Sequence, residues 1–361
     1  MTTRVRYKYF DYLNVICAFG VVALHCSTSV FLNTGDLRWK LDVIVQAVFS
    51  LSVPVFFMIS GANLLGYRER YSTKTFFDKR LRRTFGALLA FSALFYALAC
   101  IAPAQLGLVP RTYSLQEFID LFLTNGINDI YWFFYSILIL YAMTPLLSLL
   151  AERERLLGYV LLLSGVSTFV IPFWNRFMPE SSSLSLFSVP YLKGHIFYYL
   201  LGFYLHRYVE LSQEKRKRGL LVVGLACLVV VVVMTIRTNM LRTQPGGSGA
   251  EYDNFYISTL SPLVATYAAS LFLSLKEYLQ EHSFGALDRA IKAAAPYCLG
   301  VYGIHMLFIH IFDVYIPHSI KWDLGLRPFV VFGLSMASVA VWRALKGLLA
   351  SLCGKRKNRV A

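Results

Sequence analysis

Apolar stretches about 20 residues long recur along the whole sequence and are separated by short polar segments. A helix of that length crosses the roughly 30 Å hydrocarbon core of a bilayer, because each residue adds about 1.5 Å. Hydrophobic residues make up 57% of the 361-residue chain and charged residues only 15%, against about 25% charged in a soluble domain. We therefore predict an all-α, polytopic membrane protein.

Ten membrane-spanning helices are predicted from these stretches. Their approximate positions are 10–31, 43–65, 82–103, 131–150, 156–174, 190–208, 219–236, 256–275, 295–313 and 327–349. No soluble domain of useful size fits between them, so residues 1–361 are predicted to form a single transmembrane domain. The first stretch is not followed by a small-residue cleavage site, and we expect it to remain as a spanning helix rather than to be removed as a signal peptide.

The positions of the basic residues predict the orientation. The net charge is +15, but the 35 Lys and Arg residues lie in short clusters between apolar segments, which is a topology signal rather than a nucleic-acid surface. Placing both termini in the cytoplasm puts most of them on the cytoplasmic side. We predict that orientation, a lipid bilayer as the partner, and no nucleic acid.

Metal binding is not predicted from the sequence. The cysteines lie inside or at the ends of apolar segments and lack the paired spacing of a metal site or a secreted disulfide framework. They are Cys17, Cys26, Cys100, Cys227, Cys298 and Cys353. We interpret them as buried thiols; the sequence carries no signal for an oligomeric state.

The first predicted span carries a stripe of polar residues. Asp11, Asn14 and His25 lie within about 60° of one helix face, at 100° per residue. About 21 Å of helix separates Asp11 from His25, so His25 lies deep in the bilayer. It is either a packing histidine bonded to a neighbouring helix or an imidazole that accepts a proton from a hydroxyl.

A basic cluster, FFDKRLRR, begins the third predicted span and contains Lys79, Arg80, Arg82 and Arg83. Four cations in five residues exceed what topology requires. Guanidinium groups suit bidentate phosphate recognition, so the cluster could hold the phosphates of a nucleotide-derived donor such as coenzyme A. An anchor on lipid phosphates is an equally weighted alternative.

Two other predicted spans add polar candidates. Ser60 and Asn63 lie near the cytoplasmic end of the second span, where Gly61 permits close helix approach. In the ninth span, Tyr302 and His305 stand at helical i,i+3 spacing, which makes His305 a second buried imidazole.

Five segments in this order resemble the acyltransferase-3 family of integral-membrane acyltransferases. They are the first helix with His25, SVPVFFMISG, FFDKRLRR, WFFYSILILYAMTP and LGVYGIH. The resemblance extends from Tyr9 to about Trp342. The family has an arginine or lysine where this chain has Asn14, and many relatives have paired glutamates where it has Ile137 and Leu138.

The resemblance implies an O-acyltransferase of the bacterial cytoplasmic membrane that uses acetyl-CoA or another acyl-CoA as co-substrate. The pattern is most similar to stand-alone members that acetylate enterobacterial common antigen, which implies a polysaccharide or its lipid-linked precursor as acceptor. A transporter or flippase of a glycan or small solute is the alternative, because the same polar groups would line a transport path.

The polar pattern and the resemblance together predict roles for the candidate residues. His25 would be the general base, Tyr302 and His305 would orient the thioester or its oxyanion, Asp11 would orient a partner near the entrance, and Asn14 would belong to the catalytic set. The donor-binding candidates are Lys79, Arg80, Arg82, Arg83, Ser60 and Asn63.

Overall fold

A computed structural model describes residues 6–189, 192–211, 213–242 and 251–357. The structure is 81% helical, and no strand occurs in these ranges. The principal helices are α1 (Lys8–Cys26), α2 (Leu37–Phe49), α3 (Ser52–Leu64), α4 (Arg82–Ile101), α5 (Leu115–Leu123), α6 (Trp132–Ala151), α7 (Glu154–Gly165), α8 (Ile171–Phe177), α9 (His195–Arg207), α10 (Glu214–Arg242), α11 (Pro262–Glu281), α12 (Ala286–Ala294), α13 (Cys298–Tyr315) and α14 (Arg327–Lys357). The all-α prediction is confirmed.

Eight helical stretches in the described ranges are long and apolar enough to cross a membrane. They are Lys8–Cys26, Leu37–Glu69, Thr73–Ile101, Asp129–Ala151, Glu154–Phe177, Glu214–Arg242, Ala286–Tyr315 and Lys321–Gly347. Each overlaps a predicted span. The protein is therefore a polytopic helical membrane protein.

The remaining two predicted spans are also helical but differ from the prediction in extent. The span 190–208 contains only the 13 residues of α9, about 20 Å of helix; residues 190 and 191 lie outside the described ranges. The span 256–275 becomes α11, which begins only at Pro262. Pro is favoured in the first helical turn because it has no N–H to leave unpaired.

Two glycines bring α3 and α9 together at the centre of the bundle. A Cβ atom on Gly61 would lie 1.7 Å from the carbonyl oxygen of Tyr199, and one on Gly202 would lie 2.0 Å from that of Met58. Both contacts are with backbone atoms, so the helices could not keep this separation if either residue had a side chain. The close-approach interpretation of Gly61 is confirmed.

Helix α10 lies at the lipid-facing edge of the bundle. Its buried residues are confined to one stripe, at positions 224, 231, 235 and 239, whereas leucines and valines such as Leu221, Val222 and Val229 are exposed. A helix that is apolar all round and buried along one stripe is expected where lipid is the solvent.

Candidate active site

A cleft of about 610 Å³ opens between α1, α3, α4, α6 and α13. Its size is typical of a site for a small organic ligand. Seven residues predicted from the sequence line it together: Asp11, Asn14, Ser60, Asn63, Arg80, Arg83 and Tyr302. The polar stripe of the first helix, the basic cluster and the ninth-span motif therefore face a common space.

A π-helical turn, Phe77–Leu81, directs two of the basic residues into the cleft. An extra residue in such a turn changes the direction of the side chains that follow, and π turns are frequent at functional sites. Arg80 and Arg83 are three residues apart and share a face. Lys79 and Arg82 are exposed and lie outside the cleft lining, with the Lys79 ammonium 5.1 Å from the Tyr71 ring centre.

The guanidinium groups of Arg80 and Arg83 are not neutralised by the protein. Among the described residues, neither forms an ion pair or a hydrogen bond. An unpaired cation next to a membrane-embedded cleft is costly unless an anion or water compensates it. The pair is therefore suited to an anionic ligand with several oxygen acceptors, such as a pyrophosphate.

Arg6 is a third guanidinium at this cleft, and it is not among the residues predicted from the sequence. Its Nε donates to Asp11 Oδ2 at 2.8 Å, and its Nη2 donates to the Lys292 carbonyl at 3.1 Å. Arg6 precedes α1 and therefore lies outside the helix face that contains Asp11. The Asp11 carboxylate pairs with this arginine at the entrance of the cleft.

The other predicted polar residues form part of the cleft wall. Asn63 donates from Nδ2 to the Ile59 carbonyl at 3.1 Å, one helical turn earlier. Asn14 and Ser60 line the cleft beside it. Because Asn14 carries no charge, the cationic lining comes from Arg6, Arg80 and Arg83.

His25 and His305 lie next to each other beyond the cleft. Their ring centroids are 5.3 Å apart and their planes make an angle of 45°. Neither ring belongs to the cleft lining, but His305 lies one turn beyond Tyr302, which does, with 5.9 Å between the ring centroids. His25 and His305, which were predicted from separate spans, therefore form a pair in the structure.

The backbone fixes the tautomer of His305. Its Nδ1 lies 3.1 Å from the Val301 carbonyl and 2.9 Å from the Tyr302 carbonyl. Carbonyls only accept hydrogen bonds, so Nδ1 carries the proton and Nε2 carries the lone pair. That Nε2 is buried and has no partner in the described part of the chain, which leaves a basic nitrogen available to a substrate. His25 likewise forms no hydrogen bond there.

Tyr302 holds α13 against the turn that precedes α6. Its hydroxyl donates to the Ile130 carbonyl, and the Tyr131 hydroxyl donates in return to the Gly303 carbonyl at 2.9 Å. The single hydroxyl proton of Tyr302 is therefore committed to the protein. In this arrangement Tyr302 stabilises the site and does not donate into the cleft.

No group of three or more His, Cys, Asp or Glu side chains among the described residues is arranged to hold a metal ion. The site carries guanidinium, imidazole, amide, hydroxyl and carboxylate groups. Such groups can bind a phosphorylated donor and move a proton at a hydroxyl.

The fold and the site define a polytopic membrane protein with a cationic cleft that leads to a histidine pair. The sequence model of the acyltransferase-3 family, described as an acyltransferase domain, matches residues 7–345. The chain therefore belongs to this family of membrane acyltransferases. No curated protein and no solved structure matches it significantly.

Proposed function

We propose that this protein is an O-acyltransferase of the bacterial cytoplasmic membrane. It takes an acyl group, acetyl in the simplest case, from acyl-CoA and transfers it to a hydroxyl of a cell-surface polysaccharide or its lipid-linked precursor. The observation that carries the proposal is the pair of unneutralised guanidinium groups, Arg80 and Arg83, in a cleft that leads to the histidine pair.

The phosphates of acyl-CoA supply the anion that Arg80 and Arg83 lack. Coenzyme A carries a pyrophosphate and a ribose phosphate, and guanidinium groups bind such oxygens in bidentate fashion. Arg6 is available at the same entrance, beside Asp11. Ser60 and Asn63 add hydrogen-bonding groups to the wall of the donor site.

The pantetheine arm then extends along the cleft toward Tyr302. His305 lies one turn further along α13, and His25 lies against it. The thioester carbonyl of a bound donor would thus lie near two neutral imidazoles. His25 acts as the general base on the acceptor hydroxyl. The unpaired Nε2 of His305 accepts a hydrogen bond and so helps to orient the reacting groups.

The donor enters from the face on which α1 begins. Arg6, Arg80 and Arg83 lie at one cleft together with the first turns of α1 and α13. The richest basic segment of the chain is therefore on the same face as the start of α1. The positive-inside rule makes that face cytoplasmic, where acyl-CoA is found.

The proposal is tested with acetyl-CoA carrying radiolabel in its acetyl group. Membranes containing the protein should transfer label to a base-labile position on glycan, and membranes with His25→Ala should not. A wild-type protein that leaves acetyl-CoA unbound and unconsumed while it moves an unmodified glycan precursor across vesicles would instead be a transporter or flippase.

A further inference from the structure

A second pocket, of about 180 Å³, lies near the end of α13 that is distant from the cleft. Its wall is about equally apolar and polar. Phe95, Leu108 and Val109 are among the apolar members, and the five polar side chains are Tyr96, Arg111, Asn128, Asp129 and His310. The pocket is far too small for a nucleotide-containing donor.

The cleft and the second pocket lie on opposite sides of the histidine pair. Tyr302 lines the cleft and His310 lines the second pocket, and eight residues of α13 place them about 12 Å apart along the helix. His305 lies between them on the same helix. The Tyr131–Gly303 hydrogen bond fixes the turn that contains Asp129 against this part of α13.

Asn128 has a donor in the second pocket that the protein does not use. Its side chain is only 8% exposed, and its buried Nδ2 makes no hydrogen bond of normal geometry with the described residues. The amide interacts with the oxygen of the neighbouring Tyr131 hydroxyl, whose proton is donated to the Gly303 carbonyl. Because Nδ2 carries two N–H groups, the amide keeps a donor for a ligand oxygen even with Tyr131 as a partner.

Asp129 supplies the complementary acceptor. Its carboxylate is exposed to the pocket and forms no ion pair among the described residues, but it is close enough to interact electrostatically with the rings of His25 and His310. Arg111 is already occupied, by Glu117 at 3.7 Å and by the Gly126 carbonyl at 3.3 Å. The pocket thus offers an unused donor and an unused anionic acceptor.

This combination favours a hydroxyl-bearing ligand over an anion. A hydroxyl both donates and accepts, which matches Asp129 and Asn128, whereas a phosphate or carboxylate would be repelled by the Asp129 charge. The apolar part of the wall suits the carbon face of a sugar ring.

We propose that the second pocket is the acceptor subsite, in which Asp129 and Asn128 hold one sugar unit with its reacting hydroxyl toward His25. This rests on the acyltransferase function proposed above. The hydroxyl oxygen attacks the thioester carbonyl carbon, so that a C–O bond forms and the C–S bond breaks. The hydroxyl proton passes to the imidazole and then to the departing coenzyme A thiolate.

The test distinguishes a defect in acceptor binding from a defect in donor binding. Asp129→Asn, Asn128→Ala and Val109→Trp are compared with the control Asp120→Asn, an exposed acid on α5 outside the pocket. Val109 is 65% exposed, so a tryptophan there narrows the mouth of the pocket without disturbing the core. Two quantities are measured: base-labile acetate on the glycans of producing cells, and the Kd of the purified protein for radiolabelled acetyl-CoA.

The three pocket variants should lower glycan acetate at least tenfold with acetyl-CoA Kd within twofold of wild type, and the control should change neither. The proposal would be overturned if Asp129→Asn and Val109→Trp left the amount of glycan acetate at the wild-type level. It would also be overturned if the pocket variants lost acetyl-CoA binding together with glycan acetate. If the proposed function itself were wrong, wild type would bind no acetyl-CoA and add no acetate.

Discussion

The imidazole rings of His25 and His305 lie 5.3 Å apart, although nearly the whole chain separates them in sequence. His305 is fully buried and presents an unpaired Nε2, while His25 is partly exposed. Neutral imidazoles can stand side by side here, whereas an isolated buried charge would be expensive in this environment. The pair is therefore the centre of the proposed chemistry.

Replacing either histidine should abolish acyl transfer and leave donor binding intact. General-base catalysis contributes about 10²- to 10⁴-fold, so His25→Ala and His305→Ala should each lower the transfer rate by at least about 100-fold. Neither ring lines the donor cleft, and the Kd for acetyl-CoA should stay near wild type. The surface residue His282 provides the matched control, as His282→Ala. Near-normal transfer by His25→Ala would remove the general-base role.

The two possible roles of Tyr302 predict different results for Tyr302→Phe. Loss of the hydroxyl leaves the Ile130 carbonyl without its donor, which should cost about 1–3 kcal/mol of stability. If Tyr302 only positions α13, transfer per folded molecule should change little. A loss of rate of 100-fold or more at unchanged stability would restore the oxyanion role expected from the sequence. Thermal unfolding and single-turnover transfer, measured on the same preparation, distinguish the two.

The contact between α3 and α9 predicts that a single methyl group will disrupt the fold. In Gly61→Ala the new Cβ would meet the Tyr199 backbone oxygen, and backbone cannot rotate away as a side chain can. Overpacking of this kind costs about 1–3 kcal/mol or more. We expect a lower thermal midpoint and a lower yield of folded protein. Gly86→Ala is the control, because a Cβ there meets no atom within 4 Å; equal stability of the two variants would contradict the packing.

The loop over the second pocket should loosen in acid. Glu117 accepts hydrogen bonds from the Thr112 hydroxyl and backbone N–H and pairs with Arg111; chiefly because of the bond from the Thr112 hydroxyl, the pKa of its carboxyl lies below the ordinary 4.5. A lowered folded-state pKa stabilises the loop above about pH 4.5, and this stabilisation is lost as the pH falls through the folded-state value.

Amide exchange at Thr112 measures this effect. Protection should decrease on acidification below pH 4.5 after correction for intrinsic exchange rates. In Glu117→Gln the protection should already be reduced at neutral pH and should not change with pH in this range. A wild-type loop whose protection is independent of pH would show that the carboxylate does not hold it.

The sequence predicted the fold class and most of the polar residues that line the cleft, because both depend on local patterns. Apolar length defines a span, and 100° periodicity places Asp11 and Asn14 on one face. Arg82 could not be separated from Arg80 and Arg83, because the π turn Phe77–Leu81 that sorts them has no periodic signature. Arg6 and Asp129 lie outside regular α-helix, where the spacing of residues in the sequence does not predict the direction of their side chains.

The contact between the two histidines could not be predicted from spacing either, because it depends on how α1 packs against α13. The commitment of the Tyr302 proton to Ile130 likewise depends on tertiary structure, through the turn before α6. The family resemblance suggested His25, His305 and Tyr302. Only the packed helices show which of their nitrogen and oxygen atoms remain free to contact a substrate.

The most direct test of the account is acetyl-CoA binding by two double variants that remove the same charge from the same segment. Arg80→Ala/Arg83→Ala empties the cleft of its unpaired cations, whereas Lys79→Ala/Arg82→Ala removes cations that lie outside it. Each charge-assisted contact is worth about 1.5–3 kcal/mol, so the first variant should weaken the Kd by at least about 100-fold and the second by less than about threefold. Equal binding by the two variants would contradict the donor site.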